Sequence, residues 1–284
     1  MKPGILIISH GSRDDAWVRN VEEAVSGLSL REEVPVAVSF LELVEGRLIQ
    51  DGIDMLEHAG VTDILVIPLF VSSGSTHVDE IEYALGAKPE PERETDLELF
   101  NVKARVHYGY PVDDDPDIAL MLWDKIRGCS TEPSREVLLL VGHGSVHDGF
   151  RQRWQAGISS LAARVREVSG TRSSNEGIAG EPAGEVIKAE GVALADYALL
   201  NPDSLRSKVE YWGGQGYTVL LAPLFLSEGY FTKVVIPKKL QGLDYRYSGE
   251  TLLPHPLLRH WVETQAGLLL EKVRREVEID PGNR

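Results

Sequence analysis

Residues 4–12 read GILIISHGS, a short apolar run that ends in His-Gly-Ser, and residues 137–145 read VLLLVGHGS. A second pair of runs follows in the same order, with ILVIPLF at residues 64–70 and VLLAPLF at residues 219–225. Two markers in the same order and at similar spacing indicate a duplicated half. The spacing is somewhat longer in the second copy, which predicts an insertion there.

The insertion is expected at Ser169 to Gly184, which is rich in Gly, Ser and Glu and has no apolar periodicity. Such a composition predicts a flexible surface excursion. The junction between the halves is expected at residues 130–134, where Ser and Pro interrupt the apolar pattern. The sequence therefore predicts an N-terminal domain of residues 1–132 and a C-terminal domain of residues 133–284.

Each half alternates short apolar runs with helical patterns. The runs are continuous and rich in Ile, Leu and Val, which is typical of strands buried on both faces of a parallel sheet. Between the first two runs, Val18, Val21 and Val25 fall on one face of a helix. Strand–helix–strand repetition implies right-handed crossovers. We therefore predict the α/β class, as two duplicated flavodoxin-like domains with doubly wound parallel sheets.

Composition excludes several classes of protein. The 284 residues are 43% hydrophobic and carry a net charge of −15, which argues against a general nucleic-acid binder. No apolar run approaches the roughly 18 residues that cross a bilayer, and no signal-peptide cleavage pattern follows Met1. We expect a cytoplasmic protein without membrane contact. The single cysteine, Cys129, excludes an internal disulfide and an iron–sulfur cluster held by one chain.

Three polar residues of the first half follow predicted strands, at the sheet edge where open α/β proteins bind ligands. His10 ends the first strand, Glu42 follows the second, and His77 lies in the loop after the third. If the first strand lies between the other two, the three side chains converge. Two imidazoles and a carboxylate suit a divalent transition metal with open coordination positions. Taken singly, each residue also fits a structural role, and convergence is what favours a metal site.

These motifs resemble a known family. The His-Gly-Ser motif, FLEL at residues 40–43, and Pro68-Leu69-Phe70 followed by His77 resemble the class II tetrapyrrole chelatases. The closest resemblance is to the CbiX/SirB-type sirohydrochlorin chelatases in their long, two-domain form, and it covers nearly the whole chain. It implies insertion of a divalent metal into sirohydrochlorin, with Co²⁺ for cobalamin or Fe²⁺ for sirohaem.

By position, the resemblance makes His10 and His77 the metal-binding and catalytic histidines, with Glu42 as their acidic partner. It implies a small-molecule tetrapyrrole as binding partner and Co²⁺, Fe²⁺ or Ni²⁺ as a substrate, without an organic cofactor. A nearby histidine or glutamate can accept the protons that leave the pyrrole nitrogens.

The second half departs from this pattern. It keeps His143, but Phe231 and Thr232 stand where His77 would be expected, and residues 197–199 align with residues 40–42 without an acid. We therefore expect the second half to form the facing wall of a cleft, as a monomeric pseudo-dimer or within a homo-oligomer. The substrate-binding candidates from both halves are Ser12, Arg13, Ser72, Ser73, His143, Tyr230, Phe231 and Lys233.

Several alternatives remain open from the residues alone. A non-catalytic metal carrier of the same fold would use the same histidines without a tetrapyrrole. A protoporphyrin-type ferrochelatase shares the fold, but its more apolar substrate favours a more hydrophobic rim of the binding site than the serine-rich loop Ser72 to Ser75 provides. A phosphohistidine enzyme needs an arginine just before the histidine, where this chain has Ser9. A polycarboxylate substrate also requires local positive charge, because the chain as a whole is acidic.

Overall fold

The computed structural model describes residues 1–30, 33–173, 186–188 and 191–279. In chain order its strands are β1 Pro3–Ser9, β2 Val36–Phe40, β3 Asp63–Pro68, β4 Arg105–Tyr108, β5 Glu136–Gly144, β6 Thr171–Ser173, β7 Val186–Lys188, β8 Leu194–Asn201, β9 Thr218–Pro223 and β10 Arg246–Tyr247. Its helices are α1 Asp15–Ala24, α2 Ile49–His58, α3 Thr76–Ala84, α4 Pro116–Ile126, α5 Asp148–Ser169, α6 Leu205–Gly214, α7 Ile236–Lys239 and α8 Pro256–Ile279.

Two parallel sheets share one topology. The first has the strand order β2-β1-β3-β4, and the second has the order β8-β5-β9-β10. The strand that leads into His-Gly-Ser is central in each sheet, between the next two strands of the same sheet, with β1 between β2 and β3 and β5 between β8 and β9. This arrangement confirms the predicted α/β fold with duplicated parallel sheets.

The strands form because their side chains are apolar on both faces. In β1, Ile5, Leu6, Ile7 and Ile8 are all fully buried, as expected of a central parallel strand covered on both sides. The helix that follows β1 begins at a cap, because the side chain of Asp14 accepts a hydrogen bond from the free backbone amide of Ala16.

The chain divides into two compact units. The first unit comprises Met1–Val112 and the C-terminal segment from Pro254, and the second unit comprises Asp113–Leu253. This division differs from the boundary between residues 132 and 133 that the repeat suggested. The helix α4 packs on α5 and β9 in the second unit, whereas α8 packs on β3 and α1 in the first. The apolar face of a helix shows in the sequence, but the sheet against which it packs does not.

The predicted excursion at residues 169–184 is partly regular. Ser169 ends α5, and β6 pairs in antiparallel fashion with β7. Residues 174–184 lie outside the described residues. Across the described ranges, no helix is both long and apolar enough to cross a membrane.

Candidate functional site

The structure brings His10, Glu42 and His77 together in the first unit. The rings of His10 and His77 meet edge to face, with centroids 4.9 Å apart and an interplanar angle of 77°. The Nε2 atom of His10 lies 3.7 Å from Oε1 of Glu42. His10 directly follows β1, Glu42 follows β2, and His77 lies in the first turn of α3, which follows β3. All three therefore lie at the carboxyl edge of the sheet, where ligands bind in this architecture.

A close backbone approach at Gly11 places Glu42 beside His10. Gly11 has a φ of +100°, and the amide of Glu42 donates to the carbonyl of His10 at 3.1 Å. A Cβ atom on residue 11 would lie only 2.0 Å from the carbonyl oxygen of Glu42. Only glycine combines this backbone conformation with such a short approach. The glycine of the His-Gly-Ser motif therefore helps to assemble the site.

The hydrogen bonds of His10 leave its outer nitrogen open. Its Nδ1 lies 3.2 Å from the carbonyl oxygen of Gly11, and because a carbonyl only accepts, Nδ1 carries the proton. The lone pair on Nε2 then faces a carboxylate oxygen of Glu42. Both atoms are hydrogen-bond acceptors, so at 3.7 Å they are held together only if a cation, either a proton or a metal ion, lies between them. The two side chains are 41% and 53% exposed, so a ligand can reach them.

His77 is held from behind by Glu80, a residue that the sequence analysis missed. The Nδ1 of His77 lies 2.5 Å from Oε1 of Glu80, and Oε2 of Glu80 accepts a hydrogen bond from the Thr95 hydroxyl at 2.8 Å. The spacing of His77 and Glu80 could have indicated this contact, since side chains three residues apart on a helix are neighbours. Burial raises the pKa of Glu80, but the hydrogen bonds from His77 and Thr95 and the charges of His77 and His10 outweigh it. The pKa therefore lies below its usual value.

A complete metal shell is not preformed. Within the part of the chain that the structure describes, no group of three or more His, Cys, Asp or Glu side chains is arranged to enclose a metal ion. What is preformed is the pair of imidazoles. The side chain of Glu42 is more than half exposed and can turn toward an ion held by the two histidines.

The second unit contains a modified copy of this arrangement. Gly144 has a φ of +78°, and a Cβ atom there would lie 2.1 Å from the carbonyl oxygen of Asn201. Asn201 is therefore the counterpart of Glu42, and the alignment of residues 197–199 with residues 40–42 was wrong by two positions. The register decides this, because β5 pairs Gly142 with Leu199 as β1 pairs Ser9 with Phe40. The conclusion that the acid is absent still holds.

Phe231 takes the place of His77, as expected. Its ring meets His143 edge to face at 5.0 Å and 85°, close to the geometry of the two histidines in the first unit. The Nδ1 of His143 lies 3.0 Å from the carbonyl of Gly144, and its Nε2 lies 3.5 Å from the amide nitrogen of Asn201. Here a donor faces the Nε2 lone pair. This copy needs no cation to satisfy its histidine.

The predicted serines make local hydrogen bonds. The Ser12 hydroxyl accepts from the amide of Asp14 at 3.0 Å, and the buried Ser72 hydroxyl accepts from the amide of Gly74 at 3.0 Å. Ser73 is half-buried and also has a partner. These contacts shape the loops around the histidines. Whether the three serines touch a substrate stays a prediction.

The charged and aromatic candidates are more accessible. Arg13 is exposed and lines an open cleft of about 310 Å³ next to the Glu42 loop, together with Arg19 and Arg47. In the second unit, Tyr230 is 69% exposed, and Lys233 forms an ion pair with Glu228 at 3.0 Å. The proposed contacts of these side chains with a substrate stay predictions.

Comparison with known proteins assigns the first half. The family model described as CbiX matches residues 4–129. The sirohydrochlorin cobaltochelatase of Methanothermobacter thermautotrophicus is 30% identical over 136 residues, which are 44% of this chain and 92% of that protein. The chain belongs to the CbiX family of sirohydrochlorin chelatases. A second member, the sirohydrochlorin cobaltochelatase of Methanopyrus kandleri, is 27% identical over 136 residues, which are 43% of this chain and 94% of that protein.

A solved structure extends the likeness to both halves. SirB from Bacillus subtilis, solved with Fe³⁺, has a TM-score of 0.66 and 20% sequence identity, and the match covers 95% of this chain and 96% of that one. At this identity the match establishes the fold. The CbiX match contains the whole of the site built around His10, Glu42, His77 and Glu80, so the family assignment and the geometry concern the same residues.

Proposed function

We propose that this chain inserts a divalent metal into sirohydrochlorin, with Co²⁺ as the first candidate and Fe²⁺ as the second. The observation that carries the proposal is the meeting of two imidazoles and a carboxylate at the sheet edge, with the Nε2 atom of His10 facing an oxygen of Glu42. The hydrogen bonds at Nδ1 of His10 and His77 leave both Nε2 lone pairs open to a cation.

These residue types suit the chemistry of metal insertion. The metal must pass to four ring nitrogens, and two pyrrole protons must leave. A neutral imidazole binds a divalent ion and can release it to a macrocycle that offers four nitrogens at once. The exposed carboxylate of Glu42, or one of the histidines, accepts the departing protons as a general base. The reaction needs neither an organic cofactor nor an iron–sulfur cluster.

The choice of metal follows from the relatives and from ligand chemistry. Both archaeal relatives are described as cobaltochelatases, which supports Co²⁺ and a place in cobalamin synthesis. The Fe³⁺-bound form of the Bacillus subtilis protein supports iron as the second candidate. Imidazole and carboxylate ligands accept Co²⁺, Ni²⁺ and Fe²⁺, so the three metals are tested side by side.

The test is an anaerobic titration of sirohydrochlorin with Co²⁺, Ni²⁺ and Fe²⁺, followed by the absorbance of the metallated ring. We expect the wild type to accelerate insertion of at least one metal, and His10→Ala and His77→Ala to abolish most of that acceleration. His58→Ala is the matched control, because His58 is an exposed histidine of the same unit whose Nδ1 lies 2.6 Å from the carbonyl oxygen of Asp54, on the helix α2.

Absence of acceleration with every metal would overturn the proposal. Metal binding without insertion would favour the carrier instead. If activity survived the loss of both histidines, the site would lie elsewhere in the chain.

A further inference from the structure

Glu80 is held at both of its carboxylate oxygens. One oxygen lies 2.5 Å from Nδ1 of His77, and the other accepts the hydroxyl of Thr95 at 2.8 Å. The Glu80 side chain is 21% exposed, whereas that of His77 is 40% exposed. The carboxylate therefore lies behind the imidazole, on the side away from solvent, with little freedom to move.

This contact determines which nitrogen of His77 carries the proton. A neutral imidazole has one donor and one acceptor nitrogen, and the partner of one nitrogen decides the role of the other. An ionised carboxylate only accepts, so Nδ1 must be the donor and Nε2 the acceptor. Without Glu80 the proton can occupy either nitrogen, and a protonated Nε2 cannot bind a metal.

His10 and His77 differ in the partner that holds the proton on Nδ1. His10 uses the backbone carbonyl of Gly11 as the partner of Nδ1, which no side-chain substitution removes. His77 depends on a side chain from the next turn of α3. The orientation of His77 is therefore the feature of the site that a single substitution can test.

The second unit supplies an internal comparison. Its counterpart of His77 is Phe231, which has no ring nitrogen, and the residue three positions after Phe231 is Val234. Val234 is 45% exposed and carries no acceptor. Where the histidine is missing, the carboxylate that would orient it is missing as well. The local backbone differs too, since Phe231–Val235 is a π-helical turn, whereas His77 and Glu80 lie on the α-helix α3.

We propose that Glu80 is a positioning residue that holds the proton of His77 on Nδ1 and turns Nε2 toward the metal, with Thr95 holding Glu80 in turn. The inference rests on the proposed function, in which His77 presents a metal. Loss of such an outer carboxylate lowers metal affinity by roughly 10- to 100-fold in other proteins. We expect a loss of this size for Co²⁺ binding.

The first test reads the tautomer directly, without metal or substrate. In a long-range ¹H–¹⁵N spectrum of the full chain, the signals of His77 are those that disappear in His77→Gln. We expect a protonated Nδ1 and an unprotonated Nε2 in the wild type, and a mixture of tautomers in Glu80→Ala. Glu80→Leu removes the acceptor at nearly constant size and serves if the alanine variant folds poorly.

The second test is a titration with Co²⁺ alone. Glu80→Ala and Glu80→Leu should bind about 10- to 100-fold more weakly, whereas Glu80→Gln, which keeps an acceptor oxygen, should recover part of the affinity. Glu82→Gln is the matched control, because Glu82 lies on the same helix but has Lys88, Asp79 and Glu92 as its charged neighbours.

A wild-type His77 with its proton on Nε2, or a tautomer and a Co²⁺ affinity unchanged by loss of Glu80, would overturn the inference. The expected tautomer in a protein that inserts no metal would instead leave the role of Glu80 at His77 intact and refute the proposed function.

Discussion

Substituting Gly11 by alanine should separate the assembly of the site from the stability of the fold. The new Cβ atom would lie 2.0 Å from the carbonyl oxygen of Glu42, whereas ordinary contact begins at 3.4 Å. Relief of the clash therefore requires the two backbone segments to separate by about 1.4 Å, the difference between those distances. Glu42 moves with its segment, away from Nε2 of His10.

Gly11→Ala should lower both the stability of the fold and the rate of metal insertion. A side chain in the positive-φ conformation costs about 1–2 kcal/mol, and the forced separation raises the total loss of stability to about 2–4 kcal/mol. A displacement of roughly 1 Å at a reacting group can lower the rate by about 100-fold. We therefore expect Gly11→Ala to lower the rate of metal insertion by about that factor.

The second unit provides the matched control. Gly144→Ala creates the same clash, at 2.1 Å from the carbonyl oxygen of Asn201, but next to a copy that lacks the counterparts of Glu42 and His77. Gly46→Ala is a second control, because Gly46, like Gly11, has a positive φ (+73°), but a Cβ atom there would meet nothing within 4 Å. It should therefore cost only the positive-φ contribution of about 1–2 kcal/mol.

The assays are urea unfolding, anaerobic Co²⁺ titration and the rate of Co²⁺ insertion into sirohydrochlorin, each measured for all three variants. Gly11→Ala and Gly144→Ala should lose similar stability, whereas only Gly11→Ala should lose Co²⁺ affinity. Equal Co²⁺ affinity in the Gly11 and Gly144 variants would refute the claim that the approach at Gly11 assembles the site.

The double substitution Asn201→Glu with Phe231→His should create a second Co²⁺ site per chain, and an unchanged stoichiometry in the titration would contradict the positional match of the two copies. Burial raises the pKa of Glu136, but hydrogen bonds from its neighbours and the charge of Arg246 outweigh it, so the folded pKa lies below the usual 4.5. The depressed pKa stabilises the fold above pH 4.5, and this stabilisation is lost as the pH falls through the folded value. Glu136→Gln should therefore lower the free energy of unfolding by about 1–3 kcal/mol at pH 7. In urea unfolding measured at several pH values, the variant should also lose less stability than the wild type as the pH falls below 4.5, and an unchanged pH dependence would contradict this role. Arg13→Ala should raise the KM for sirohydrochlorin by about tenfold, equivalent to one charge-assisted hydrogen bond of about 1.5 kcal/mol, and a change confined to kcat would argue against carboxylate binding.

Part of the site could be predicted because it depends on where strands end. His10, Glu42 and His77 each follow a strand, and a parallel sheet brings strand ends to one edge. Glu80 was missed because an acid one helical turn from a histidine is usually a solvated surface residue. Only its burial behind the ring and its contact with Thr95 distinguish it.

The amino-acid sequence by itself determined the α/β class, the duplication and the loss of ligands in the second copy. These properties are local, because the period of apolar residues and the identity of a motif can be read along one segment of chain. The tertiary structure alone decided that α8 packs in the first unit, that Asn201 is the counterpart of Glu42, and that Glu80 orients His77. Each of these depends on which residues meet in three dimensions, through strand register, helix packing and hydrogen-bond geometry that no single segment specifies.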